Sequence, residues 1–119
     1  MAKDYKVSLL FDFYGNMLTD KQREAIELYY NADLSLGEIA DNLGISRQGV
    51  RDSIKRSEAI LFDAEERLGL LKKWKSSEKA IDEIISNANS ILSYALKYSN
   101  PEIETQAQSI IKLAKSLFD

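Results

Sequence analysis

Leu36-Gly37-Glu38-Ile39-Ala40-Asp41-Asn42-Leu43-Gly44-Ile45-Ser46-Arg47-Gln48-Gly49-Val50-Arg51-Asp52-Ser53-Ile54-Lys55 is the stretch that decides the fold. Ser35 precedes it with Glu38 three residues on, a capping box that satisfies the first amides of a helix. Leu36, Ile39, Ala40 and Leu43 then share one helical face, and Gly44 ends a helix of about two turns. Ser46 is placed to cap a second helix carrying Val50 and Ile54. A short helix, a glycine turn and a second helix rich in arginine have the spacing of a helix-turn-helix. The geometry asks for a small residue at the helix crossing, met by Ala40, and a left-handed turn residue, met by Gly44. It also asks for apolar residues between the helices, and Ile45 and Val50 are expected to fill that space. A plain helical corner with no nucleic-acid role shares one or two of these features.

The charge of the second helix sets it apart. From Ser46 to Ser57 there are Arg47, Arg51, Lys55 and Arg56 against Asp52 alone, a local +3 in a chain of net charge −3. The outward positions at the start of this helix are Arg47, Gln48, Arg51 and Asp52, with Lys55 a turn further on. Arg donates bidentately to guanine and Gln pairs with adenine in the major groove, whereas Lys55 and Arg56 suit phosphate. Ser46 and the free amides beside it offer a phosphate-sized anion site at the positive end of the helix dipole. The candidate interface is therefore Ser46, Arg47, Gln48, Arg51, Asp52, Lys55 and Arg56. The alternative for Arg47 and Arg51 is a solvated face paired with Asp52 or Glu58. Gly49 costs a helix interior about 1 kcal/mol relative to Ala, and less in the first turn where it lies.

Upstream, Val7, Leu10, Phe11 and Tyr14 share a face, widened by Leu9 and Phe13, so the periodicity predicts a mostly covered helix over 5–14, broken at Gly15 and Asn16. Thr19 with Gln22 is another capping box, and the helix it opens near Asp20 carries Ala25, Ile26, Tyr29 and Tyr30 before Asn31-Ala32-Asp33 ends it. Downstream, Val50, Ile54, Leu61 and Leu68 extend the second helix of the motif to Gly69. The run Leu70-Leu71-Lys72-Lys73-Trp74-Lys75 reads as a connector or frayed extension, with a domain boundary at Lys75.

Beyond it, Ile81, Ile84, Ile85, Ala88, Ile91, Leu92, Ala95 and Tyr98 form a stripe at three- and four-residue steps. Asn100-Pro101-Glu102 starts a last helix with cap, proline and acid in order, and Ile103, Ala107, Ile110, Ala114 and Leu117 continue a stripe along it. The short link predicts an antiparallel hairpin. Its apolar surface exceeds what two helices cover alone, so it packs on the N-terminal helices or on a second copy.

Composition narrows the chemistry. The chain has 119 residues, 45% hydrophobic and 29% charged, which suits a folded protein. Five Gly and one Pro are too few for the many turns of a sandwich or barrel, which points to an all-α fold. With no Cys and no His there is no disulfide, thiolate, imidazole or familiar transition-metal ligand set, so no cofactor and no metal are expected. Asp12, Asp20, Glu24 and Glu27 are helix-surface carboxylates without a metal-binding loop pattern, and the chain is read as not an enzyme. No run approaches the roughly 20 apolar residues of a membrane span, so no membrane insertion and a cytoplasmic location are expected.

Leu34 to Ala40, Leu43 to Arg47 and Val50-Arg51, with Gln22-Arg23-Glu24 upstream, resemble the fourth region of bacterial sigma factors, which reads promoter DNA. A closer resemblance, over residues 7 to 75, is to the small bacterial YlxM-like family. It rests on Leu10-Phe11-Asp12-Phe13-Tyr14, Leu28-Tyr29-Tyr30, Ser35 to Ala40, Ser46-Arg47-Gln48, Ile54-Lys55-Arg56 and Glu66 to Leu70. The resemblance implies a helix-turn-helix DNA-binding or regulatory protein whose gene lies beside signal recognition particle genes. It also implies an aromatic residue where Arg51 stands, and it does not extend over the hairpin after Lys75.

The expectation is an all-α chain: a sigma-region-4-like helix-turn-helix domain over 1–75 with its motif at 36–55, then a helical hairpin over 76–119 for self-association. The expected partners are double-stranded DNA and a second copy in a homodimer. The rival reading is an RNA or protein adaptor of the signal recognition particle pathway.

Overall fold

The structure, a computed structural model, describes residues 2–118; Met1 and Asp119, the outer bounds of the two expected segments, lie outside the described residues. Among the described residues there are six α-helices and no strand: α1 Lys6–Tyr14, α2 Asp20–Ile26, α3 Leu36–Leu43, α4 Arg47–Leu68, α5 Leu70–Lys97 and α6 Pro101–Ser116. The chain divides into two compact units between Leu71 and Lys72.

In the first unit α1, α2 and α3 all pack against α4. Val7, Leu10, Ile26, Ile39, Val50, Ile54 and Leu61 are fully buried there, each contributing about 1.5–3 kcal/mol. Both expected capping boxes are formed. The Thr19 hydroxyl accepts from Gln22 N–H while Gln22 Oε1 accepts from Thr19 N–H, and Ser35 and Glu38 repeat the exchange.

Three local expectations are corrected. The helix begun by Asp20 does not stay α-helical to Tyr30: residues Glu27–Asn31 form a π-helical turn, with Ala32 N–H reaching Glu27 O at 3.0 Å. The widened turn accommodates burial of two adjacent rings, Tyr29 and Tyr30, packed edge to face at 5.1 Å. Leu68 is exposed, and Leu71 is the buried apolar residue at that end of the core.

The run from Leu70, expected as a connector or frayed extension, is the ordered start of α5. Gly69 ends α4 at φ 63°, and the first amides of the next helix find acceptors at once. Leu70 N–H donates to the Tyr14 hydroxyl at 2.9 Å and Leu71 N–H to Glu65 Oε1 at 3.0 Å, while the Tyr14 hydroxyl donates to that same Oε1 at 2.7 Å. Amides that begin a helix have no partner within it, and α1 and α4 supply partners from outside. Burial, and after it the Glu65 carboxylate, raise the Tyr14 phenol above its ordinary pKa of 10.0.

In the second unit, α6 runs antiparallel to the part of α5 beyond Leu71. Ile84 lies by Ile110 and Leu117, and Ile91 and Tyr98 lie by Ile103. The turn between them passes through Ser99 at φ 53°, and Asn100 caps α6 by accepting from Ile103 N–H at 3.2 Å. Ile81, Ala88, Ala95, Ala107 and Ala114 are buried, a seven-residue repeat on each helix. Among the described residues no helix is long and apolar enough to cross a membrane.

Candidate nucleic-acid interface

The turn of the motif is built as its residues dictate. Gly44 adopts φ 67°, and a Cβ placed there would meet nothing within 4 Å, so glycine is required by backbone conformation and not by space. Gly44 N–H and Ile45 N–H both donate to Ala40 O, closing α3. Ala40 and Val50 are buried where α3 and α4 pack. Ile45 departs from expectation: instead of filling the space between the helices it is 46% exposed. It lies over Gly49, where an added Cβ would stand 3.6 Å from Ile45 Cδ1.

The Ser46 hydroxyl caps α4 by accepting from Gly49 N–H at 3.0 Å. Ser46 therefore serves the helix first, and an anion at this end would meet the amides of Arg47 and Gln48. Gly49 keeps that cap open, since a Cβ there would come within 3.2 Å of Ser46 Oγ.

All seven candidate residues are solvent-exposed, but they form more than one group. Gln48, Asp52 and Lys55 lie opposite the buried stripe of Val50, Ile54 and Leu61, while Arg51 lies on the flank between. Arg56, five residues from Arg51, is about 140° round the helix from it and belongs to another side. Arg47 is turned back over α3: a Cβ on Gly37 would stand 3.0 Å from its Nη2 and 3.1 Å from its Nε. Gln48 Nε2 donates to Asp52 Oδ1 at 2.9 Å, so two of the candidates bind each other.

The rival pairing of Arg51 with Asp52 or Glu58 is not formed. Asp52 accepts from Gln48, and Glu58 accepts from the Tyr30 hydroxyl at 2.9 Å. Among the described residues Arg51, Lys55 and Arg56 form no ion pair within 4 Å. Burial, reinforced by the Glu58 carboxylate, drives the Tyr30 phenol far above its ordinary 10.0, so the hydroxyl stays a donor to Glu58. Gly37, Tyr30 and Glu58 thus position the candidate cations or keep acids off them without being among the seven candidates. The sequence offers Glu58 as a partner for Arg47 or Arg51, and Tyr30 as a core residue within the family resemblance; it carries no signal that the two bind each other or that Arg47 lies over Gly37.

A family model described as "Putative helix-turn-helix protein, YlxM / p13 like" matches residues 1–108. The chain is 50% identical over 91 residues to a UPF0122 protein of Acetivibrio thermocellus, covering 76% of this chain and 78% of that one. It is 46% identical over 86 residues to a UPF0122 protein of Desulforamulus reducens, covering 72% and 74%. A UPF0122 protein of Bacillus cereus is 40% identical over 113 residues, or 95% of this chain and 98% of that one. With its turn glycine, capped helices and cationic α4 in place, the chain belongs to the YlxM/p13-like helix-turn-helix family.

Proposed function

We propose that this protein is a cytoplasmic DNA-binding regulator that sets the first turns of α4 into the major groove. The observation that carries the reading is Arg51 and Lys55, exposed and without an ion pair behind a left-handed glycine turn, while the acids nearest in sequence are hydrogen-bonded to Gln48 and Tyr30. Arg51 is the base reader in this arrangement, and Arg47 joins it by swinging off Gly37. Lys55 and the α4 amides hold phosphate, and Gln48 reads a base on exchanging Asp52 for it. Selection from a random duplex pool, followed by anisotropy titration of the selected and a scrambled duplex, tests this. The expected result is a sequence preference that Arg51→Ala reduces, and absence of duplex binding at low salt would overturn it.

One observation favours a second reading. With Arg47 over Gly37 and Gln48 on Asp52, two base readers are withdrawn, and what remains is a cationic ridge suited to any phosphate backbone or acidic surface. The resemblance to a family whose genes neighbour those of the signal recognition particle makes that particle's RNA or protein the partner to test. Parallel recovery of DNA, RNA and protein on the immobilised full chain separates the two readings. Neither calls for catalysis.

A further inference from the structure

The hairpin of α5 and α6 buries little but its alanine seam, and one whole face of it remains apolar. Ile84 and Ile91 on α5 and Tyr98 just past its end repeat every seven residues, as do Ile103 and Ile110 on α6 and Leu117 just past its end. The clefts they line place Ile84 level with Leu117 at the base and Tyr98 level with Ile103 at the tip, on the same side of the hairpin. Tyr94 and Leu113 widen this face, exposed at 67% and 66%. The opposite side is mixed, with half-buried Leu92 and Ile111 lying among Asn89, Gln108, Lys112 and Lys115.

From these observations we infer that the apolar face is the contact surface between two copies of this chain, paired about a two-fold axis into a four-helix bundle. The inference does not rest on the DNA reading. Size is the first argument. The exposed parts of these eight side chains amount to on the order of 800 Å² per protomer, the share one partner contributes to a stable interface of standard size and well beyond a few scattered apolar residues. Pattern is the second, since seven-residue layers present the same spacing to a copy of themselves.

Charge is the third. Helical periodicity places Glu83 and Lys97 on the outer flank of the α5 stripe and Glu102 on the outer flank of the α6 stripe, all three exposed. When the tips of two hairpins align, α5 faces α6 of the copy and Lys97 meets Glu102. When the tips are opposed, α5 faces α5 and Lys97 meets Glu83. Either two-fold pairing puts unlike charges at the rim, so the flank is self-complementary.

Sedimentation equilibrium on the full chain, without nucleic acid, tests this. The wild type is expected to be a dimer at micromolar concentration. Ile91→Glu, at the middle layer, is expected to weaken it about 100-fold, while Gln108→Glu on the opposite side leaves it unchanged. Tyr94→Lys, at a more exposed position, gives a second measurement should Ile91→Glu not fold, and circular dichroism reports folding of each variant. A monomeric wild type overturns the inference, including one in which the face covers the chain's own first unit. So does a dimer that persists in every folded variant of this face.

Discussion

The Tyr30 hydroxyl donates to Glu58 Oε1 at 2.9 Å, fastening the π-helical turn to α4. Glu58 stands two helical turns beyond Arg51 on the same side of α4, so a contact made to hold the fold also takes up an acid on the side that carries Arg51. Tyr30→Phe removes the donor and leaves a half-buried carboxylate short of a partner. A loss of about 1–3 kcal/mol is expected, read from urea unfolding.

The same pair fixes a response to alkali. The Tyr30 and Tyr14 phenols both titrate above their ordinary 10.0 in the folded chain, because burial and then a neighbouring carboxylate oppose the phenolate. Once pH exceeds about 10, the unfolded chain gives up these protons while the folded chain keeps them, so stability falls as pH rises. Their contribution is fully present below that pH. Unfolding midpoints between pH 8 and pH 11 are expected to drop at the alkaline end, less steeply in Tyr30→Phe; an equal slope in the variant would contradict the assignment.

Arg51→Ala is expected to reduce binding to a selected duplex by about 1–3 kcal/mol and to blur preference at one base pair. Lys55→Ala should weaken selected and scrambled duplexes alike and lower the salt slope by about 1. Arg56→Ala, on another side of α4, should change base preference least. Anisotropy titrations across a salt series distinguish these three patterns.

Gly44→Ala forces a side chain into φ 67° with nothing to clash against, so its cost is that of the left-handed backbone alone, about 1–2 kcal/mol. Gly44→Asn should lose less, because Asn tolerates that conformation. A chemical denaturation series on both variants checks the order.

Ile54→Ala removes a fully buried side chain from the stripe of α4 that faces the core of the first unit, and about 2–5 kcal/mol of stability should go with it. Ser46→Ala, which removes the cap of the same helix, should cost about 1 kcal/mol. Both are measured by the same denaturation, and a larger loss in Ser46→Ala would contradict this account of the core.

What the sequence by itself determined are the features that residues a few positions apart settle between themselves. Thr19 with Gln22, Ser35 with Glu38, Ser46 as the cap of α4, Gly44 and Gly69 as left-handed stops, and Asn100 before Pro101 all act within one helical turn. Their chemistry does not wait for the rest of the chain. The outward cations of α4 were legible for the same reason, since a stripe as regular as Val50, Ile54 and Leu61 fixes which positions face away.

Only the tertiary structure decided which of those cations keep a partner. Glu58 answers to Tyr30, 28 residues away, and Glu65 to Tyr14, 51 residues away; no periodicity links such positions. The π-helical turn beneath Tyr29 and Tyr30 interrupts a helix that local pattern left regular, and the placement of Arg47 over Gly37 exists only because α3 and α4 are packed together. Ile45 was misjudged because apolar character marks a residue that gains by burial without saying whether the fold has space for it. Val50 and Ala40 already occupy the contact between the helices, so Ile45 stays half in water.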